Sequence, residues 1–125
     1  MRYEILEDNT VLDQQTGLIW QREIVRNLTY SQALEHAERV ARETGQAWRV
    51  PTLRELRTLV EIEYDGDEPA SAFPDMPPLA FWSFSPYVGD TDGIWVVDFS
   101  DGNVDDGYRD SYVAVRLVRG VRRKP

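Results

Sequence analysis

The side chains of this sequence that could take part in catalysis are mainly carboxylates, because the chain has no cysteine and a single histidine, His36. The absence of cysteine excludes a thiol nucleophile, a disulfide and a thiolate zinc site. A pair of carboxylates works as acid and base only where the surroundings raise one pKa, and nothing in the sequence does so. His36 alone makes a weak metal site and is interpreted as a residue at the edge of a helix. With no Ser-His-Asp order and no phosphate-binding glycine loop, we expect no enzymatic activity, no metal and no cofactor.

Three acidic segments, two of which also contain tyrosine, are the best candidates for binding a ligand. One is the long 64–80 segment without a clear period, the second is the 85–93 loop around Pro86, and the third is the predicted turn at 101–106. Irregular segments held by a rigid scaffold often carry binding residues, and tyrosine offers a large contact area with a polar tip. Most of the later aspartates have an alternative role as turn formers, because aspartate bonds to its own backbone in turns. The predicted ligand-binding residues are Tyr64, Asp65, Asp67, Glu68, Tyr87, Asp90, Asp92, Asp101 and Asp105.

The charge of the chain restricts its partners. The formal net charge is −8, so nucleic acid is not expected as a partner, since phosphate backbones are bound by surplus lysine and arginine. The end of the chain is nevertheless basic, and it is interpreted as a strand edge and a solvated terminus. Its basic residues are Arg116, Arg119, Arg122, Arg123 and Lys124.

The length of 125 residues predicts a single domain over residues 1–125. No apolar run approaches the roughly 20 residues of a membrane helix, so membrane insertion is not expected. The first four residues, Met-Arg-Tyr-Glu, lack the basic-then-apolar order of a signal peptide. Together with the lack of cysteine, this favours a cytoplasmic location, with secretion by a leaderless route left open.

Two helices are predicted from capping signals. Thr29 and Gln32 form a capping box for a helix that extends to about Thr44 and stops at Gly45. Its buried stripe consists of small and aliphatic residues, namely Ala33, Leu34, Ala37, Val40 and Ala41. A second capping box, Thr52 and Glu55, follows Pro51 and opens a helix whose apolar arc is Leu53, Leu56, Leu59 and Val60.

The residues before the second helix are predicted to be structural. Trp48 is expected to pack beneath a sheet. Arg49 is expected to pair with Glu55 or with a late-strand carboxylate such as Asp98, because the guanidinium fork can join two segments. Trp20, Trp82 and Trp95 are also assigned structural roles, although Trp82 and Trp95 could instead contribute to a binding surface.

The remaining pattern predicts strands. Residues 10–13 and 18–20 form a hairpin in which Gly17 supplies a positive φ. Residues 2–6, 81–85, 93–99 and 103–108 are further strands, with a turn at Asp101 and Gly102. Residues 112–119 are predicted to form one last strand, with Val113, Val115 and Leu117 on one face and Tyr112, Ala114, Arg116 and Val118 on the other.

Five motifs in this order carry a resemblance to a known family. They are Asp13 with Thr16 to Trp20, then Trp48 to Thr52 with Glu55 and Leu56, then Phe81 to Ser83, then Trp95 to Phe99 with Gly102, and finally Val115 to Gly120. Together they resemble the Lcl C-terminal domain family, a bacterial domain. The resemblance implies an α+β fold similar to C-type lectins and formylglycine-generating enzymes, with two helices packed on a twisted antiparallel sheet and long loops. It also implies a binding role.

The sequence departs from the family at several points. Members often have one cysteine in the first helix and one in the last strand, where this chain has Leu34 to Ala37 and Val115 to Leu117, so an apolar contact is expected instead. Formylglycine-generating enzymes depend on cysteine, which argues against catalysis here. Glu68 and Pro69 are similar to the Glu-Pro pair of sugar-binding lectins, but the Trp-Asn-Asp segment is missing. A weak calcium site in the acidic loops is left open, since calcium needs six to eight oxygen ligands.

Two functions are consistent with the sequence. The first is a non-catalytic binding domain that recognises a protein or glycan ligand through the loops of the late strands. The fold that the resemblance implies should gather the 64–80 loop, the 85–93 loop and the turn at 101–106 into one surface, opposite the first helix. The second is an acidic inhibitor or immunity-type protein that masks a basic protein partner by charge complementarity. Neither identifies the ligand, and a homo-oligomer is left open.

Overall fold

The first strands of the computed structural model form the predicted hairpin. The structure describes residues 3–61, 79–86, 93–99 and 103–120. Strands β1 (Tyr3–Ile5), β2 (Thr10–Asp13) and β3 (Ile19–Gln21) are antiparallel neighbours, with Val11 opposite Trp20. Gly17 in the hairpin loop has φ 79°, a conformation that glycine adopts without steric cost. The predicted hairpin and its turn glycine are therefore confirmed.

The first helix has the predicted boundaries. Strand β4 (Val25–Leu28) precedes it, and α1 spans Tyr30–Thr44. The Thr29 hydroxyl accepts a hydrogen bond from the Gln32 backbone, and the Gln32 side chain accepts one from the Thr29 backbone. Gly45 ends the helix at φ 70° and donates its N–H to the Ala41 carbonyl. Local side-chain chemistry thus sets both ends of α1.

The second helix, α2 (Leu53–Glu61), also begins at its predicted capping box. The Thr52 N–H donates to the Glu55 carboxylate at 2.8 Å, and the Glu55 N–H donates to the Thr52 hydroxyl at 3.2 Å. Leu56 and Leu59 are buried, and α2 packs against the later strands β5 (Ala80–Pro86) and β6 (Gly93–Asp98). The apolar arc therefore faces the core, as its spacing predicted.

The late strands belong to a five-stranded sheet. Strand β7 (Val104–Tyr108) pairs with β6, and β6 pairs with β5, both antiparallel. The register between β5 and β6 shifts, because four residue steps from Trp82 to Pro86 match two from Val96 to Ile94. Such an irregularity bends the end of a strand. The sheet order is β4-β8-β5-β6-β7, where β8 is Val113–Val115.

The predicted single last strand is wrong, because the chain divides it between two sheets. Strand β8 pairs with β4 and runs parallel to β5, whereas β9 (Val118–Arg119) pairs with β3. The order of the second sheet is β1-β2-β3-β9. The change of partner occurs at Arg116, whose side chain is buried, 1% exposed, and was predicted to be solvated. Its Nη1 donates to the carbonyls of Gln21 at 2.8 Å and Arg22 at 2.6 Å, so it holds the end of β3 where the two sheets separate.

The core lies on both faces of the five-stranded sheet. One cluster joins that sheet to α2 and the four-stranded sheet through residues such as Phe81, Val97 and Leu56, and the other joins it to α1 through residues such as Trp82, Val96 and Ala33. The described residues form two helices and two mostly antiparallel sheets, which confirms the predicted α+β class. The likeness to C-type lectins stays a prediction. Within the ranges described, no helix is long and apolar enough to cross a membrane.

In residues 112–119 the side chains still alternate between the two faces as predicted, although the strand is divided. Val115 and Leu117 lie in the cluster that contains α1, and Ala114 and Val118 lie in the other. Ala37 belongs to the same cluster as Val115 and Leu117. The first helix and the last segment are thus joined through apolar packing, as predicted.

Candidate binding site

A largely buried ion pair between Arg49 and Glu55 supports the late strands. The Arg49 guanidinium donates to both carboxylate oxygens of Glu55, at 2.7 and 2.8 Å, and both side chains are largely buried. The backbone of Arg49 exchanges two hydrogen bonds with Val118, at 2.9 and 3.0 Å. Of the two predicted partners of Arg49, the structure shows Glu55. Because Glu55 also caps α2, this pair connects α2 to β9.

The environment of Glu55 lowers its pKa. Burial acts to raise the pKa, but hydrogen bonds from the Arg49 side chain and the Thr52 backbone, together with the charge of Arg49, outweigh it. A carboxyl whose pKa is lower in the folded state than in the unfolded state stabilises the fold when it is ionised. This stabilisation is fully present above the unfolded value, near 4.5, and is lost as the pH falls through the folded value.

We therefore expect the stability difference between the wild type and Glu55→Gln to depend on pH. Glutamine retains the capping box but loses the charge, so the wild type should be more stable at pH 7 and the difference should shrink below about pH 4.5. Urea unfolding of both proteins across this range measures the difference, in which contributions from distant carboxylates cancel. In an Arg49→Ala background the pH dependence should be weaker. A difference that stays constant with pH would contradict this account.

Residues next to this ion pair, at the start of α2, fix the end of β5. The Phe84 N–H donates to the Pro51 carbonyl at 2.7 Å, and the Leu53 N–H donates to the Ser85 hydroxyl at 3.0 Å. The Ser83 hydroxyl donates to the Trp95 carbonyl at 2.6 Å, which ties β5 to β6. The backbone at the start of α2 therefore holds the strand that leads into the 87–92 connection.

Three aromatic side chains in the later part of the described chain are exposed. Tyr108, the last residue of β7, is 56% exposed and pairs with Gly93, the first residue of β6. Phe84 in β5 is 45% exposed and Tyr112 is 71% exposed. The sequence analysis did not select Tyr108 or Tyr112, because alternation in a short strand does not tell an edge strand from a central one. The signal available was the position of Tyr108 directly before the polar pair Arg109 and Asp110.

Most of the predicted ligand-binding residues lie outside the described ranges. Asp105 is described and is exposed on β7, opposite Val96. The residues outside are Tyr64, Asp65, Asp67, Glu68, Tyr87, Asp90, Asp92 and Asp101. The prediction that all of them form one surface with Asp105 thus stays a prediction.

The described ends of the late connections indicate how that surface would be divided. Pro86 and Gly93, which flank the 87–92 connection, lie at one end of the five-stranded sheet near Tyr108. Ala80 and Asp98 pair at the opposite end, where Asp98 donates its N–H to the Asn103 carbonyl at 2.9 Å. The described residues that flank the 87–92 connection and those that flank the 100–102 connection therefore lie at opposite ends of the sheet.

The four tryptophans predicted to be structural differ in burial. Trp20 and Trp82 are fully buried, and the Trp82 indole donates to the Leu28 carbonyl at 2.8 Å. Trp48 is 6% exposed, with the Arg119 guanidinium 5.2 Å from its ring centre. Trp95 is half-buried and belongs to neither core cluster. The first three therefore anchor the core, and Trp95 lies nearer the surface.

Two other described groups, His36 and Tyr30, have a shifted pKa. His36 is half-buried beside Arg39, and both burial and that positive charge lower its pKa, against a smaller effect of Glu43. Burial raises the pKa of Tyr30, against the charge of Arg109. In the described portion of the chain, no group of three or more His, Cys, Asp or Glu residues could hold a metal ion.

The sequence was compared with known families and curated proteins. The family model of the Lcl C-terminal domain matches residues 9–119, a range that contains both helices and all described strands except β1. A search of the curated proteins found no match. The motifs singled out in the sequence, from Asp13 to Gly120, lie within the matched range except for Gly120, one residue beyond its end.

Proposed function

The chain belongs to the Lcl C-terminal domain family, and from this premise we propose that it is a non-catalytic binding domain for a protein or glycan ligand. The observation that carries the proposal is the exposed ring of Tyr108, which lies beside the described ends of the 87–92 connection. That connection contains Tyr87, Asp90 and Asp92. The proposed contact surface thus combines two tyrosines and two aspartates.

This combination has the chemistry of a recognition surface. Tyrosine buries a large area at a low cost in side-chain entropy, and its hydroxyl bonds to a polar partner. Aspartates beside it accept hydrogen bonds from ligand hydroxyl, amide or ammonium groups. The hydrogen bonds that attach β5 to Pro51 and Leu53 keep the base of this surface in place, which reduces the ordering cost of binding.

The described titratable groups also favour binding over catalysis. Glu55, whose pKa is lowered, is occupied by Arg49 and the α2 cap. Within the described ranges, neither Tyr30 nor His36 is hydrogen-bonded to Glu55, so neither forms an acid–base pair with it. Perturbed pKa values mark an active site when they converge in a cleft, and these do not.

A binding experiment tests the proposal with variants of the exposed residues. The ligand is first identified, either by retention on a glycan array or by capture of a host protein. A captured protein is then purified and titrated. Tyr108→Ala and the double variant Tyr87→Ala with Asp90→Ala should each weaken its binding roughly tenfold or more. Glu35→Ala, an exposed change on α1, should have no effect. Equal affinity of all four proteins would place the ligand elsewhere.

The alternative proposal is an acidic inhibitor or immunity-type protein. The net charge of −8 and the exposed Asp105 and Asp110 favour it, because an acidic surface attracts a basic partner over long distances. A tight, stoichiometric protein complex whose association rate falls steeply between low and physiological salt would support this alternative. Retention on glycans with little dependence on salt would support the first proposal.

A further inference from the structure

We infer that a second site, a polar groove between the β1–β2 turn, the end of β3 and the end of α1, binds a small hydroxyl-bearing amine. The groove has a volume of about 500 Å³, within the range of small-molecule sites. Its chemistry is defined by two carboxylates, three carboxamides and an indole. These belong to Asp8, Glu23, Asn9, Gln21, Gln46 and Trp48.

The walls of the groove are fixed by the fold. Thr10 and Trp48 are buried, so both are held by the core. Asn9 has φ 61°, a strained conformation for a residue with a side chain, and Arg22 holds it. The Arg22 backbone donates to the Asn9 carbonyl, and its guanidinium donates to the Asn9 side-chain oxygen, both at 3.3 Å. The Asp8 carboxylate accepts from the Thr10 hydroxyl.

Three polar side chains in the groove are available to a ligand. Gln21, Glu23 and Gln46 have no side-chain hydrogen bond or ion pair to any residue in the described ranges. The glutamines offer both donors and acceptors, and Glu23 offers acceptors only. Hydroxyl groups, which donate and accept, match the carboxamides.

The charge of the groove favours an ammonium group on the ligand. Asp8 and Glu23 are acidic, and no lysine or arginine is among the residues that line the groove. Arg22 lies beside it but is engaged with Asn9. A ligand with hydroxyls and one ammonium would therefore satisfy the glutamines and pair with Glu23, where a charge-assisted hydrogen bond is stronger than a neutral one.

This site is independent of the proposed recognition surface. None of the residues that line the groove belongs to β5, β6 or β7. Loss of binding in Tyr108→Ala would therefore leave the groove intact, and an empty groove would leave the proposed function unaffected.

Three compounds, each built on a six-membered ring, test the inference on the full chain. Glucosamine carries hydroxyls and an ammonium, glucose carries hydroxyls alone, and cyclohexylamine carries an ammonium alone. Titration followed by NMR should show shifts of the Gln21 and Gln46 side-chain amides and the Trp48 indole with glucosamine. Glucose and cyclohexylamine should bind about tenfold more weakly, because each lacks one of the two kinds of contact.

Matched variants locate the ligand. Glu23→Gln removes the charge from an exposed residue without a described partner, so the fold should be retained and glucosamine affinity should fall about tenfold. Glu35→Gln makes the same change outside the groove and should leave the affinity unchanged. The inference is overturned if glucosamine causes no shifts at roughly 10 mM, if glucose or cyclohexylamine binds equally well, or if both variants behave alike.

Discussion

Replacing Arg116 with methionine should lower the free energy of unfolding by about 3 kcal/mol, because each buried acceptor that loses its donor costs roughly 1–3 kcal/mol. The Arg116 guanidinium donates to the carbonyls of Gln21 and Arg22 in a site that is 1% exposed. Methionine fills much of the same volume but donates no hydrogen bond. Thermal unfolding should show a fall in the midpoint on the order of 10 °C.

Two further variants test whether the planar guanidinium of Arg116 matters beyond its charge and whether the effect is specific to this arginine. Arg116→Lys retains a positive charge and a donor but loses the planar fork, so its loss of stability should be intermediate. Arg54→Ala removes an exposed arginine from α2 and should change stability by less than about 0.5 kcal/mol. Should Arg116→Met prove as stable as Arg54→Ala, the guanidinium would not hold the junction of the two sheets.

Replacing Arg49 with alanine should cost about 2–4 kcal/mol, since Glu55 would stay largely buried without its partner. Urea unfolding measures this loss as a lower midpoint with an unchanged slope. The start of α2 and the end of β5 should also become less protected in amide hydrogen exchange, because the Pro51 and Leu53 backbones connect them. Unchanged stability would show that Arg49 is not a strut and would make it a candidate for ligand binding.

A double-mutant cycle identifies the cause of that loss. Glu55→Gln removes the carboxylate and retains a side chain that can complete the capping box. In the Arg49→Ala background this second change should restore part of the lost stability, because it removes the unpaired buried charge. Two effects that simply add would indicate that Arg49 acts through packing alone.

Both arginines fix positions on which the proposed sites depend. Arg116 holds the end of β3, and residues at that end line the polar groove. Arg49 and Glu55 hold the start of α2, which in turn anchors β5 ahead of the connection that carries Tyr87. Each proposed site therefore depends on a buried arginine that does not belong to it.

Features determined by near neighbours in the chain were predictable from the sequence. The capping boxes at Thr29 and Thr52, the turn at Gly17 and the stop at Gly45 all appear as expected. Each depends on bonds between residues a few positions apart, so local residue types suffice. Five motifs in order also identified the family, which the match over residues 9–119 confirms.

Only the tertiary structure shows which distant segments pair with one another. Nothing in the alternation of residues 112–119 shows that β8 pairs with β4 while β9 pairs with β3, because both partners accept the same apolar pattern. The burial of Arg116 follows from that change of sheet, since carbonyls of Gln21 and Arg22 need a donor where the sheets separate. The exposure of Tyr108 likewise depends on β7 being an edge strand, which is a property of sheet order and not of local sequence.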